Sequence, residues 1–223
     1  MKVDIYSDVT CPWCYLGKRR FEAALGEFAG RNDVQVEFKP FQLDPAAPHE
    51  AVPTPLALAA KFGTQEAART AMSHVKDVAA GDGIQLDHEN ALTVNTFTAH
   101  RVLWLAAQKG VQAELVERFF AAHHSEGADL SDPATLDRLA AEAGLPGVAE
   151  FLAGEDGVEE VKESIGEARA LGIEAVPTYV FDERWAVSGA QPVEVFSQLL
   201  GQVADATIGA TAGGCCGGGC CGS

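Results

Sequence analysis

The chain has 223 residues, with 16 Lys+Arg against 32 Asp+Glu, a formal charge of −16 and a pI near 4.6. So acidic a chain repels phosphate backbones, which argues against nucleic-acid binding. Hydrophobic residues make up 47% and charged residues 22%, a globular balance rather than a disordered one, and no uninterrupted apolar run of about 18 residues offers a membrane span.

The first residues, Met1-Lys2-Val3-Asp4-Ile5-Tyr6, alternate polar and apolar side chains and lack the apolar run of a secretory signal. The expectation is a cytoplasmic protein. The six cysteines fit that setting. Cys11 and Cys14 stand near the start, and Cys215, Cys216, Cys220 and Cys221 fall in the last nine residues. A disulfide framework would spread its cysteines through the fold, and the cytosol keeps most thiols reduced. The placement points to two separate pieces of thiol chemistry.

Residues 2–8 carry the period-two pattern of a strand. Phe21, Ala24, Leu25 and Phe28 then recur at helical spacing, with Gly17 on the same face, until Gly30 and Asn32 stop the helix. Residues 34–39 alternate again. Strand, helix, strand with a right-handed crossover predicts two parallel strands in one sheet. Pro45, Pro48, Pro53 and Pro55 mark residues 44–55 as an irregular connector.

Helical patterns follow. Thr64 opens a segment to about Ala80. Asn95 is the N-cap candidate for a helix through Lys109, with Gly110 past its end. Another helix covers Val111 to His124, in which the adjacent His123 and His124 diverge and read as surface residues. Ser131 is the N-cap candidate of the next, which ends at Gly144. Val158, Val161, Ile165, Ala168 and Leu171 then form a helical stripe. Its row Glu159, Glu163, Glu167 reads as a solvated face. Tyr179–Phe181 and Trp185–Val187 flank Asp182-Glu183 as a short hairpin. Pro192 suits the first turn of a last amphipathic helix through Val203. The order predicts an α/β fold. Residues 1–45 and 155–207 form one discontinuous domain around a helical insert, 46–154, and a flexible Gly/Cys-rich tail spans 208–223.

Cys11-Pro12-Trp13-Cys14 sits where the first strand gives way to the first helix. Unpaired amides and the macrodipole at a helix N-terminus favour an anion, hence a thiolate at Cys11. Pro12 can open the helix without losing a needed hydrogen bond. Cys14, one turn later, is placed to close a disulfide and to resolve a mixed one. Zinc binding would need two more ligands, which only scattered histidines or the tail thiols supply. A pair of inert buried thiols is the remaining alternative. Val176-Pro177-Thr178 opens a strand with a proline, which has to avoid a ladder N–H position.

Three segments carry a resemblance. Asp8-Val9-Thr10-Cys11-Pro12-Trp13-Cys14-Tyr15, Asn95-Thr96-Phe97-Thr98-Ala99-His100-Arg101 and Ala175-Val176-Pro177-Thr178-Tyr179-Val180 together resemble DsbA-type thioredoxin proteins of the FrnE subgroup, relatives of 2-hydroxychromene-2-carboxylate isomerase and kappa-class glutathione transferase. The likeness covers about residues 1–205. It implies a thioredoxin-like fold with an all-helical insert and thiol–disulfide oxidoreductase activity. By position Cys11 becomes the nucleophile, Cys14 the resolving thiol and Pro177 a cis-proline beside the dithiol. The backbone of Val176 would then receive an extended substrate peptide.

The isomerase and transferase relatives commonly place serine where Cys11 stands and use glutathione. Two cysteines favour dithiol chemistry here, with glutathione retained as a candidate reductant or co-substrate and no other cofactor implied. Asp8 is a candidate proton acceptor from Cys14, or a strand-end residue. Trp13, Val176, Asn95 and His100, the last two on the insert, are candidate substrate contacts, with Arg101 beside them. His100 also suits plain packing. In the tail, Cys215/Cys220 and Cys216/Cys221 could pass electrons to or from the dithiol, hold a soft metal, or idle. The expected partners are protein or small-molecule disulfides and thiols.

Overall fold

The computed structural model describes residues 1–212, with side chains through 207. The central strand β1 (Lys2–Ser7) pairs in parallel with β2 (Gln35–Pro40) and antiparallel with β5 (Thr178–Phe181), and β5 pairs antiparallel with β6 (Trp185–Ser188), giving the order β2-β1-β5-β6. The two parallel strands are joined through α1 (Pro12–Glu27), as the period change from two to 3.6 predicts. The hairpin turns at Asp182 and Glu183, whose φ angles are +47° and +56°, the left-handed backbone of a type I′ turn, closed by the Arg184 amide donating to the Phe181 carbonyl at 3.0 Å.

Although β1 alternates in sequence, both of its faces are buried. Val3 and Ile5 share a face with Phe181 and Tyr179 through the strand register. There Phe21 of α1 and Phe196 of α9 (Val193–Ala212) close an aromatic cluster, with ring centroids 4.6 Å apart for Tyr179–Phe196 and 5.5 Å apart for Phe21–Phe196. Tyr6 faces the other way, where Glu167 of α8 (Val158–Ala170) contributes to the rise of its phenol pKa, after burial and Asp4.

Between β2 and α8 the chain builds six helices: α2 (Thr54–Phe62), α3 (Gln65–Gly81), α4 (Phe97–Lys109), α5 (Gln112–Glu126), α6 (Pro133–Glu142) and α7 (Val148–Ala153). Two-residue strands β3 (Val52–Pro53) and β4 (Leu92–Thr93) pair beneath them. One continuous apolar core runs from Val3 and Ile5 into Val102, Leu115, Phe119 and Leu136 of these helices. The helical insert and the sheet therefore share their burial. Among the described residues no helix is long and apolar enough to cross a membrane.

Several local expectations are corrected. The connector 44–55 is not wholly irregular, because β3 and the start of α2 lie in it. Pro55, read as a breaker, instead occupies the first turn of α2, where its missing N–H costs nothing. Asp132, not Ser131, caps α6, its carboxylate accepting from the amides of Ala134 and Thr135. Helix α9 continues through Ala212, into the segment expected to be flexible. His123 and His124 are not surface residues: both are buried, since α5 is packed around much of its circumference and leaves both faces covered. By contrast Thr64 caps α3, and Gly110 ends α4 in the left-handed conformation with φ +74°, both where the sequence places them.

Candidate active site

The last residue of β1, Ser7, delivers the chain into a turn in which the Cys11 amide donates to the Asp8 carbonyl at 3.0 Å. Cys11 is the N-cap of α1 and Pro12 its first residue. The Cys11 carbonyl accepts from the amides of Cys14 and Tyr15 at 3.0 and 3.3 Å, so the first helical turn fixes Cys14 beside Cys11. Both cysteines are free thiols. Cys11 is 4% and Cys14 2% exposed.

The Cys11 thiol donates to the Val176 carbonyl at 3.7 Å. The peptide bond that follows, Val176–Pro177, is cis. The strand that carries it is pinned from both sides. Thr178 Oγ1 donates to the Ala175 carbonyl at 2.7 Å and lies 3.0 Å from the Ser188 hydroxyl, and the Gly189 amide donates to the Pro177 carbonyl at 2.7 Å. Gly17 seats this loop. A Cβ there would lie 2.5 Å from Tyr179 Oη and 3.0 Å from Pro177 Cγ. Helix α1 can therefore hold the dithiol against Pro177 only with glycine at this point. Gly17→Ala is expected to cost about 1–3 kcal/mol by overpacking and to lower disulfide-exchange activity more than its stability loss explains. Urea unfolding beside an exchange assay checks both, and unchanged activity would show that the contact is idle.

Cys14 is set apart electrostatically. Burial pushes its thiol well above the usual range, the neighbouring Cys11 adds to this, and the Asp8 amide and the Ser7 side chain partly oppose it. The pair thus consists of one buried sulfur that meets the cis-proline loop and a second, equally buried, that meets the Asp8 amide and the Ser7 side chain.

The remaining sequence candidates fall in two groups. Asp8 is 1% exposed. Its Oδ1 accepts from the Thr10 amide at 3.3 Å and lies 3.7 Å from His100 Nε2, and its Oδ2 accepts from the Leu43 amide at 2.8 Å. His100 Nε2 also lies 3.0 Å from the Phe41 carbonyl. Asp8 and His100 are therefore brought together after the end of β1, where they tie the chain after β2 to α4. Trp13 is half-buried and meets His74 of α3, with ring centroids 5.9 Å apart.

Asn95 lies in the second group. It binds the connector instead of lining the dithiol: its Nδ2 donates to the carbonyls of Pro45 and Ala47, and its Oδ1 accepts from the Phe97 amide at 3.0 Å at the start of α4. Its capping role is real but acts from one residue before the N-cap, Thr96. Arg101 donates to the carbonyls of Gly154 and Asp156. Cys215, Cys216, Cys220 and Cys221 lie outside the described residues.

Sequence reasoning missed two features next to the site. Lys18, buried in α1, pairs with Glu22 at 2.8 Å and Glu117 of α5 at 2.7 Å, and Arg19 and Tyr15 also reach Glu117. A lysine with a glutamate four residues later on a helix reads as an exposed pair, and nothing in the pattern marks the third partner. Next to it, the rings of Tyr15, Phe120 and His124 stack. His123, His124 and His88 each leave a buried ring nitrogen without a partner. Among the described residues no group of three or more His, Cys, Asp or Glu is placed to hold a metal ion.

A four-stranded mixed sheet, a Cys-x-x-Cys pair at the start of its first helix and a cis-proline opposite define a thioredoxin-fold dithiol protein. Residues 2–201 match the family described as the DSBA-like thioredoxin domain, and the chain belongs to that family. It is similar to a probable DsbA oxidoreductase from Streptomyces coelicolor, with a TM-score of 0.86, 37% identity, and 92% of this chain and 90% of that one covered. It is 26% identical to the uncharacterized protein YwbO of Bacillus subtilis (strain 168), over 89% of this chain and 94% of YwbO. The cytosolic disulfide reductase DsbM from Pseudomonas aeruginosa, solved with GSH, shares the fold at a TM-score of 0.60 and 22% identity, over 95% of this chain and 99% of that one.

Proposed function

We propose that the chain is a FrnE-type thiol–disulfide oxidoreductase that exchanges disulfides with protein or small thiol substrates through Cys11 and Cys14. One observation carries the reading: Cys11 stands at the N-cap of α1 with its sulfur on the Val176 carbonyl, directly before cis-Pro177, while Cys14 lies one turn along the helix. In the reducing direction the Cys11 thiolate attacks a substrate disulfide and expels one substrate thiolate. Cys14 then gives up its proton, attacks the Cys11 sulfur and releases the second thiolate. Two electrons pass to the substrate and the Cys11–Cys14 disulfide remains. The reverse sequence oxidises a substrate dithiol.

The Cys14 sulfur has to lose its proton in a buried site, and we assign that proton to Asp8, which is buried beside His100 and whose backbone meets Cys14. Val176 offers its backbone to an extended peptide, and the half-buried Trp13 flanks the entrance. Serine in place of Cys11 is what a glutathione-dependent isomerase would resemble, so the dithiol favours exchange. DsbM was solved with GSH and is described as cytosolic. We accordingly take glutathione as a reductant of the Cys11–Cys14 disulfide and the cytoplasm as the compartment.

Insulin reduction with glutathione tests the assignment. Cys11→Ser should lose at least about a hundredfold in rate, in the range seen when a chemical nucleophile is removed. Activity close to that of the unaltered protein would remove Cys11 from its role.

A further inference from the structure

Helix α2 reads Thr54-Pro55-Leu56-Ala57-Leu58-Ala59-Ala60-Lys61-Phe62, apolar nearly all round, yet none of its residues is buried. A helix of that composition is normally covered on most sides. Here Leu56 is 64% and Phe62 47% exposed. Beside it, against α3, runs a groove of about 670 Å³, within the size range of small-molecule sites. Leu56, Leu58 and Met72 supply apolar wall, and Arg69, Lys76 and His88 supply polar groups.

The charges are arranged for a ligand. Arg69 and Lys76 lie two turns apart on α3, so they share a face about 10 Å apart along the axis. Neither has an ion pair or side-chain hydrogen bond among the described residues, whereas Lys18, Arg19, Arg20 and Arg118 each hold a carboxylate. In a chain of net charge −16, two cations lining one groove are a local concentration of positive charge, although Asp87 also lies within electrostatic reach of Lys76. Glu89 also lines the groove and leaves it one positive charge in excess. The buried Nε2 of His88 has no partner. Burial, with help from Lys76, holds that imidazole neutral, with a pKa of about 4. Cys11, Cys14 and Pro177 do not line this groove.

We propose that the α2–α3 groove is a second, non-redox binding site for a small amphiphilic monoanion. Its apolar body covers Leu56 and Leu58, and its carboxylate head group sits between Arg69 and Lys76 on the side of the groove lined by His88. Opposite charge sets the orientation, and the exposed face of α2 supplies the apolar contact.

Calorimetric titration of the full chain with decanoate, and with the neutral decanol as control, tests this. One saturable decanoate site is expected, with decanol at least about tenfold weaker, as the loss of one charged contact implies. The double variant R69A/K76A should weaken decanoate about tenfold or more and leave decanol unchanged. E89Q should tighten decanoate. Ser73→Trp, at an exposed position lining the groove, should abolish binding while insulin reduction persists. Cys11→Ser should bind decanoate normally, which separates this site from the dithiol chemistry. Equal binding of decanoate and decanol, no saturation, or an unaffected R69A/K76A variant would overturn the proposal. So would a dimer in sedimentation that Leu56→Lys dissociates, because that result gives the face of α2 to a second copy of the chain.

Discussion

Lowering the pH from about 7.5 to about 4 is expected to reduce the unfolding free energy by about 3 kcal/mol or more, through buried histidines alone. Burial lowers His123 from its ordinary 6.5 to about 4. It also lowers His88 to about 4, and takes His124 well below its usual value. The folded state thus refuses protons that the unfolded chain accepts. Stability from these groups is complete above about pH 6.5 and is lost as the pH falls towards 4.

The surroundings set the size of the effect. His123 faces Asp8 and Asp129, which favour its cation, and His88, which opposes it. His124 faces His123 and His88, with only the Val9 backbone in its favour. Lys76 acts against the charging of His88, and Asp87 for it. His123 alone accounts for about 3 kcal/mol, from its shift and the energy of one pKa unit. His88 is partly exposed and adds less. Carboxylates with lowered pKa values, such as Glu37, whose burial is outweighed by Lys39 and Lys2, add to the loss only at the acid end of this window, as the pH falls below their ordinary 4.5 and they protonate. Urea unfolding at several pH values checks the slope, and His123→Leu should flatten it. A stability constant between pH 7.5 and about 4.5 would contradict the burial of the three rings.

Phe21→Ala is expected to destabilise the protein by about 3–5 kcal/mol, the range for a buried aromatic side chain cut to a methyl. Phe21 is 1% exposed, and its ring meets those of Tyr179, Phe181 and Phe196. The effect reaches the site as well. Phe21 stands one helical turn beyond Gly17, and Tyr179 carries both the contact with Gly17 and the strand after Pro177. Loosening this cluster should lower exchange activity even at temperatures where the variant is folded. A loss below about 1 kcal/mol would mean that the cluster repacks.

The elements that position the dithiol were legible because each rests on local chemistry. Val3 and Ile5 alternate, Phe21 and Ala24 repeat at helical spacing, Pro12 opens α1, and Asp182-Glu183 turns the hairpin. The parallel pairing of β1 and β2 followed from their connection. The fate of the histidines was not legible. His123 and His124 diverge on an isolated helix, and only the packing of α5 against α1 and the 84–88 segment covers both. Helix α2 was hidden for a related reason: Pro55 reads as a breaker until the start of a helix is known to fall at Thr54. Asn95 and His100 stand in a recognisable motif, yet their partners, carbonyls at 41–47, are set by tertiary contact. Gly17 was visible only as a helix residue on the core side. Its close approach to Pro177 and Tyr179 depends on strands more than 150 residues away.

Under the proposed function Cys11 attacks and Cys14 resolves. Mass spectrometry of the adduct formed when Cys14→Ser and Cys11→Ser are each incubated with a disulfide-bonded peptide tests it most directly. Cys14→Ser should accumulate a stable mixed disulfide at Cys11, because the attacking thiol is present and the resolving one is gone, while Cys11→Ser should form almost none at Cys14, whose thiol pKa burial pushes well above the usual range. An adduct at Cys14 forming as fast as the one at Cys11 would contradict the assignment.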